Sequence, residues 1–201
     1  WNRGYNNAFR KDNSRSDSVG LGGNIAKSLS ALSYCTSVAE VPPTFDAKTE
    51  DAGNGSLMRF APIPVYYHCA PLEEMHNAAR SSSYTTHPGI IAAESCAFLA
   101  HLIRRALDLR ESMGPQDFLD RYTQEYYEVS GLAGKYGWGY DQMRWLVTSC
   151  PLKETERCWN WKADSLDIAG TLRARGMRYN GYPVSKGYFG SFCLDGLAMA
   201  L

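Results

Sequence analysis

The segment from Asp51 to Pro62 has the composition of a ligand-binding turn, because two glycines flank an asparagine just before an apolar run. Glycine lets the backbone turn sharply and lets a ligand approach it closely. Free N–H groups at the start of the helix that follows favour an anion, particularly a phosphate. Asn54 adds an amide that both donates and accepts hydrogen bonds, which suits sugar hydroxyls. Taken alone, the same run also fits a capped helix after a loop.

A second polar segment contains His87, which stands directly before Pro88 at the predicted start of a long helix. A neutral imidazole at this position can reach a ligand held by the same helix end. On its own, the histidine is also explained by packing within a loop. The other three histidines, at positions 68, 76 and 101, look like surface or helix-face residues.

Helical periodicity runs through most of the chain, whereas strand alternation is almost absent. The sequence therefore predicts an all-α domain. Predicted helices span Val19 to Leu32, a short or broken stretch within Ser56 to Tyr67, a segment from Pro71, Pro88 to about Glu111, a segment marked by Phe118 and Val129, Gln142 to Ser149, Asp164 to Arg175, and Ser191 to Leu201. Predicted loops cover Trp1 to Ser18, Pro42 to Asp51 and the glycines between 131 and 139. The aromatic residues from Tyr122 to Trp161 are expected in the core and at a cleft rim.

Composition narrows the classes of protein. The 201 residues are enough for one domain, and 21 basic residues balance 21 acidic ones. A zero net charge argues against general binding of nucleic acid. No apolar stretch is long enough to span a membrane, and the start has no signal-peptide pattern. The six scattered cysteines form no metal-ligand spacing, so we expect reduced thiols and a cytoplasmic protein.

The run Gly-Asn-Gly-Ser-Leu-Met-Arg-Phe-Ala-Pro at 53–62, followed by Thr86-His87-Pro88, resembles the central signature of the ADP-ribosylglycohydrolase family. Three further segments resemble neighbouring family motifs: Trp1 to Gly4, Gly20 to Asn24, and Lys186 to Ala198. The resemblance covers essentially the whole chain. It implies a compact all-α fold, with residues 1–201 as the central part of a single domain that is truncated at both ends.

The same resemblance implies a set of substrate-binding residues: Gly53, Asn54, Gly55, Ser56, Met58 and His87. The first four would line a cleft and contact the diphosphate and ribose of ADP-ribose. Met58 and Arg59 would anchor the following helix, and His87 would face the ribose or a phosphate. Family members hold two metal ions, Mg²⁺ or Mn²⁺, through an early Thr-Asp-Asp motif and a late Asp-x-Asp-Ser/Thr motif.

The sequence departs from the family pattern at the metal ligands, because it contains neither an Asp-Asp pair nor an Asp-x-Asp motif. No metal ligand and no catalytic residue is therefore assigned within this chain. Asp164 and Asp167 lie one helical turn apart, but they fit the solvated first turn of a helix better than a hard-metal site. The apolar stripe that stops at Leu201 suggests that the core continues into further sequence.

The resemblance implies hydrolysis of the glycosidic bond that links ADP-ribose to a protein side chain or to a small adduct. In the family, the metals orient the ribose and activate water, and the transition state resembles an oxocarbenium ion. Without the aspartate motifs, the chain alone is expected to be inactive. The expected partner is ADP-ribose or an ADP-ribosylated protein. Two alternatives stay open: an ADP-ribose binder without catalysis, and a structural, crystallin-like relative.

Overall fold

A computed structural model describes residues 22–32, 34–37, 52–179, 182–183 and 189–201. Several predictions fall outside these ranges. They concern the loop from Trp1 to Ser18, the first turn of the helix predicted from Val19, and the loop from Pro42 to Asp51. Residues 186–188 of the segment that resembles a late family motif also lie outside.

The described residues fold mainly as helices, which confirms the all-α prediction. In chain order the helices are α1 (Gly23–Leu32), α2 (Pro62–Tyr66), α3 (Leu72–Tyr84), α4 (Ile90–Asp108), α5 (Pro115–Val129), α6 (Trp138–Val147), α7 (Ile168–Arg175) and α8 (Cys193–Ala200). Short 3₁₀ segments span Leu132–Gly134 and Glu154–Trp159. Strands β1 (Arg178–Tyr179) and β2 (Tyr182–Pro183) form one small antiparallel pair, with Arg178 opposite Pro183.

Helix α4 forms the centre of the core and packs against α2, α3, α5, α6 and α8. Its residues Ala92, Ala93, Cys96, Ala97 and Ala100 are all buried, so neighbouring helices approach it closely from several sides. A helix that is apolar almost all round belongs in a protein interior. The buried hydrophobic side chains of the described residues form one cluster around it.

Prolines mark the starts of α3 and α5. Pro71 stands at the N-cap of α3, and Glu73 and Glu74 occupy its first turn, where they favour the positive end of the helix dipole. Gly114 ends the preceding loop, and Pro115 begins α5 with its preset backbone angle. Trp159 and Trp161 are buried, in agreement with a core position for the aromatic segment.

Helix α6 begins at Trp138, four residues before its predicted start at Gln142, so the predicted glycine loop is too long. Gly137 has φ 118°, which suits glycine, and ends the loop. Gly139 lies inside the helix, where a Cβ atom would sit 3.3 Å from Cβ of Ile90. That glycine serves close packing between α6 and α4 and not a turn.

Helix α7 begins at Ile168 and not at Asp164, because Asp167 is its N-cap. The Asp167 carboxylate accepts a hydrogen bond of 2.8 Å from the N–H of Gly170. An N-cap aspartate satisfies one of the unpaired N–H groups at a helix start. Asp164 therefore lies before the helix, exposed to solvent.

The three other histidines lie on the surface or on helix faces, as predicted. His68 is exposed, whereas His76 and His101 lie on inward helix faces and are buried. His76 Nε2 lies 3.2 Å from His101 Nδ1 across the α3–α4 interface. Both rings are buried because each also packs against the buried ring of Tyr126 on α5.

Acid is expected to destabilise the fold through this histidine pair. Burial, then the neighbouring positive charges of the partner ring and of Arg80, lowers the pKa of His76 to about 3. Burial and the charge of Arg105 lower the pKa of His101 to about 4. The unfolded chain takes up protons below about pH 6.5 while the folded chain does not, so stability falls as pH drops from there towards 4. For each histidine, the free energy of unfolding falls by up to about 1.4 kcal/mol per pH unit.

Urea unfolding at about pH 7 and about pH 5 measures this loss. His76→Gln should reduce the pH dependence, and His68→Gln, which changes an exposed histidine outside the buried pair, is the control. Equal free energies of unfolding at both pH values would show that the buried pair does not control acid stability.

All six cysteines are free thiols, as predicted from their scattered positions. Cys96, Cys158 and Cys193 are buried. Within the ranges given above, no helix combines the length and the apolar character that crossing a bilayer requires.

Candidate functional site

Residues 53–58 form a turn, called the glycine-rich turn below, and the segment that leads into α8 holds it in place. The Asn54 N–H donates to the Ser191 carbonyl at 2.9 Å, and the Cys193 N–H donates to the Ala52 carbonyl at 2.9 Å. The Asn54 side-chain amide nitrogen donates to the Gly190 carbonyl at 2.8 Å. Two sequence-distant segments are thereby joined by both the backbone and the side chain of Asn54.

A helical turn begins at Asn54, because the Met58 N–H donates to the Asn54 carbonyl at 3.0 Å. The N–H groups of Gly55, Ser56 and Leu57 precede this first bond and have no partner within the turn. The Ser56 side chain points inward and is 1% exposed. Its hydroxyl oxygen accepts a hydrogen bond of 2.9 Å from Ser83 at the end of α3.

The buried thiol next to Ser56 has no role as a nucleophile. Cys96 Sγ lies 3.6 Å from Ser56 Oγ. Burial raises the pKa of Cys96 to about 11, so the thiol stays protonated at neutral pH. A protonated thiol is a poor nucleophile. Cys96 and Ser56 support the turn from below.

His87 is placed against the same turn from the C-terminal end of α3. Its N–H donates to the Ser83 carbonyl at 2.8 Å, and its side chain is 3% exposed. A Cβ atom on Gly55 would lie 2.9 Å from Cε1 and 3.0 Å from Nε2 of His87, closer than side chains tolerate. A Cβ atom on Gly53 would lie 3.7 Å from Nε2, an ordinary contact. Gly55 is therefore required for the ring to approach the turn.

Arg59 joins the turn to the segment before His87. Its Nη2 donates to the Ser82 carbonyl at 2.7 Å and to Thr86 Oγ1 at 2.7 Å. Thr86 Oγ1 lies 2.8 Å from His87 Nδ1. Met58 behaves differently from the expectation, because its side chain is 74% exposed and does not anchor the helix that follows.

A pocket of about 420 Å³ lies between the first turn of α1 and the glycine-rich turn. Its lining brings together five of the six predicted site residues: Gly53, Asn54, Gly55, Met58 and His87. Ser56 is the exception, because its side chain is buried beneath the turn. Residues that the sequence did not single out as ligand contacts also line the pocket: Gly22, Gly23, Asn24, Ile25, Lys27 and Ser191.

Lys27 carries the formal charge of the pocket, since no other lining residue within the described ranges is a lysine, arginine, aspartate or glutamate. It lies on α1, one turn after the helix begins. A lone lysine on an amphipathic helix gives no sequence signal for a binding role. Lys27 reaches the pocket because α1 lies over the glycine-rich turn, which begins 26 residues further along the chain at Gly53.

The described residues do not fit a two-metal centre. In those ranges no group of three or more His, Cys, Asp or Glu side chains is close enough to hold a metal ion. Asp167 caps α7 and lies 3.4 Å from Nε of Arg157. Asp164 and Asp167 are thus explained by the start of α7 and by solvent.

Comparison with known proteins gives the family. The model of the ADP-ribosylglycohydrolase family matches residues 2–200. Neither the curated proteins nor the solved structures gave a match. The match spans essentially the whole chain and includes both the glycine-rich turn and His87, so this protein belongs to the ADP-ribosylglycohydrolase family.

Proposed function

We propose that residues 1–201 supply the ADP-ribose-binding part of a single ADP-ribosylglycohydrolase domain. In this proposal the pocket between α1 and the glycine-rich turn holds the diphosphate and the adjoining ribose. The observation that carries it is the meeting of two helical N-terminal turns and one lysine at a single pocket.

The N-terminal turns favour a diphosphate. In α1 the first bond runs from the Ala26 N–H to the Gly22 carbonyl at 2.9 Å, so the N–H groups of Gly23, Asn24 and Ile25 precede it. The turn that begins at Asn54 has the same arrangement. Free N–H groups and the positive end of the backbone dipole favour phosphate oxygens. The Lys27 ammonium adds a full positive charge at the same pocket.

The remaining lining residues suit the sugar. The carbonyl oxygen of the Asn54 amide accepts from a ribose hydroxyl, and the His87 ring lines the same pocket. Met58 covers the ligand from the rim with its exposed side chain. Ser56 supports the pocket indirectly, because the residue is buried and its hydroxyl holds the turn to α3.

The contribution of this chain to hydrolysis is binding and orientation. The family generally uses divalent metal ions, and Mg²⁺ or Mn²⁺ would supply the activated water in the intact enzyme. The described residues contain no group of side chains that could hold these ions. Contacts to the diphosphate lie away from the bond that breaks, and their binding energy holds the anomeric carbon in place. Because residues 1–201 contain neither aspartate motif, they should bind ADP-ribose without hydrolysing its conjugates.

Calorimetric titration of the chain with ADP-ribose, ADP and adenosine tests the proposal. We expect ADP-ribose to bind, ADP to bind more weakly and adenosine to bind least, because adenosine lacks the diphosphate. A parallel assay with an ADP-ribosylated peptide and Mg²⁺ should show no release. Absence of ADP-ribose binding would reject the proposal and favour the structural, crystallin-like alternative. Binding by a longer form that carries the aspartate motifs, without turnover, would identify an inactive binder.

A cytoplasmic location stays a prediction from the cysteine pattern.

Loss of the Lys27 charge is expected to weaken ADP-ribose binding about 2- to 5-fold, because Lys27 is exposed and solvent limits such a charge pair to about 1 kcal/mol or less. Lys27→Arg keeps the charge and should retain most of the affinity, whereas Lys27→Ala should not. Lys153→Ala, which removes an exposed lysine stacked on Trp145 far along the chain, is the matched control. Equal affinities for Lys27→Ala and the control, measured by calorimetry, would show that Lys27 does not contribute to ADP-ribose binding.

A further inference from the structure

The two ring nitrogens of His87 face different surroundings. Nδ1 lies 2.8 Å from Thr86 Oγ1. Nε2 is directed at the glycine-rich turn, where it would lie 3.0 Å from a Cβ atom on Gly55. A neutral imidazole carries its proton on only one of the two nitrogens. If Nδ1 accepts from the Thr86 hydroxyl, the ring proton is on Nε2.

Arg59 determines what the Thr86 hydroxyl can do. A guanidinium group has donors and no acceptor, so Thr86 Oγ1 accepts from Arg59 Nη2 at 2.7 Å. In the part of the chain that the structure describes, the other contact of this hydroxyl is Nδ1 of His87. The hydroxyl proton has one acceptor within reach, and a hydroxyl that already accepts from a cation is a better donor.

We infer that Arg59 and Thr86 are positioning residues, which hold His87 with its proton on Nε2 by donating the Thr86 hydroxyl to Nδ1. Nε2–H is then a donor on the side of the glycine-rich turn. The other tautomer would direct a lone pair at the same place and repel a phosphate oxygen. The consequence for ADP-ribose rests on the proposed function, whereas the tautomer itself does not.

The arrangement also connects the turn to its histidine. Arg59 belongs to the same short segment as Gly55 and reaches the Ser82 carbonyl at the end of α3. Ser56 reaches Ser83, one residue further along, through the buried hydroxyl pair. These contacts hold the turn at a fixed distance from the His87 ring, and the Thr86 hydroxyl determines which ring nitrogen carries the proton.

The tautomer is measured on the ¹⁵N-labelled chain without ligand, by two-bond proton–nitrogen correlation of the histidine rings at about pH 8, where ordinary histidines are neutral. Comparison with His87→Gln identifies the His87 signals. We expect Nε2 to be protonated and Nδ1 to have the shift of a hydrogen-bonded acceptor. In Thr86→Val, which keeps the shape and removes the hydroxyl, the Nδ1 signal should move and a form protonated at Nδ1 should appear. Thr86→Ser should restore the original spectrum.

The buried pair His76 and His101 reports on the fold in the same spectrum, since unchanged signals show that Thr86→Val is folded. A wild-type ring protonated at Nδ1, or an unchanged Nδ1 signal in folded Thr86→Val, would overturn the inference.

Affinity gives the second readout. Thr86→Val should bind ADP-ribose about 5-fold more weakly, and Thr86→Ser should bind within about twofold of the wild type. Equal binding by Thr86→Val would remove the positioning role. Failure of the wild-type chain to bind ADP-ribose would reject the proposed function, and the ligand-free spectra separate that result from failure of the tautomer assignment.

Discussion

Gly55→Ala weakens ADP-ribose binding by about 10- to 100-fold, the loss expected when a buried polar contact to a charged ligand is displaced. The added methyl group would lie 2.9 Å from Cε1 of His87. The ring cannot retreat easily, because it is 3% exposed and Thr86 Oγ1 lies 2.8 Å from its Nδ1. Either the ring or the turn must move, and each lines the pocket. Calorimetry with ADP-ribose measures the loss.

Gly53→Ala is the matched control for this prediction. It adds the same methyl group two residues earlier, where the nearest ring atom would lie 3.7 Å away. Thermal unfolding of both variants separates a local change from general destabilisation, since overpacking costs about 1–3 kcal/mol. Similar affinities of Gly55→Ala and Gly53→Ala would show that contact with His87 does not shape the site.

Asp195→Asn is expected to destabilise the fold by about 3 kcal/mol or more, because it leaves a buried guanidinium without its counter-charge. Arg175 Nη1 lies 2.6 Å from Oδ2 of Asp195, and Nη2 lies 2.8 Å from Oδ1. Both side chains are almost fully buried, at 4% and 2% exposed. Trp159 Nε1 donates to the same carboxylate at 2.9 Å, so the change disturbs α7, α8 and the segment between α6 and α7 together. Urea unfolding gives the free energy.

The exposed pair between Arg157 and Glu154 provides the control, with half or more of each side chain exposed. Glu154→Gln should leave the free energy of unfolding almost unchanged, because solvent screens such pairs. The prediction fails when Asp195→Asn and Glu154→Gln have the same stability. The buried pair matters to the site because Ser191, just before α8, and Cys193, its first residue, hold the glycine-rich turn.

Periodic apolar patterns predicted the larger helices well, and local exceptions account for the errors. Helix α4 follows its stripe of Ile91, Phe98 and Leu102, since such a pattern has one simple solution in a helical protein. The start of α6 was missed because Gly139 is selected by a contact with Ile90 on another helix, which a local pattern does not contain. The burial of His76 depends in the same way on His101, 25 residues away.

The site could be predicted in part, for a similar reason. The glycines and Asn54 stand next to one another and carry a recognisable motif, so the sequence located the turn. Lys27 approaches the pocket only through the placement of α1, and no local pattern marks it. The inward orientation of Ser56 depends on Ser83 at the end of α3. Distances between separate segments, such as that between Gly55 and His87, are properties of the folded chain alone.

The most direct test of the ADP-ribose pocket is a titration of the ¹⁵N-labelled chain with ADP-ribose, followed through the backbone amide signals. The account predicts saturable shifts at Gly55, Gly23 and Asn24, whose N–H groups line the pocket, and smaller shifts on the far side of the molecule. Gly55→Ala should lose these shifts and keep the rest of the spectrum. Saturable binding that leaves those three amides unmoved, or no saturable shift at all up to about 1 mM, would contradict the account.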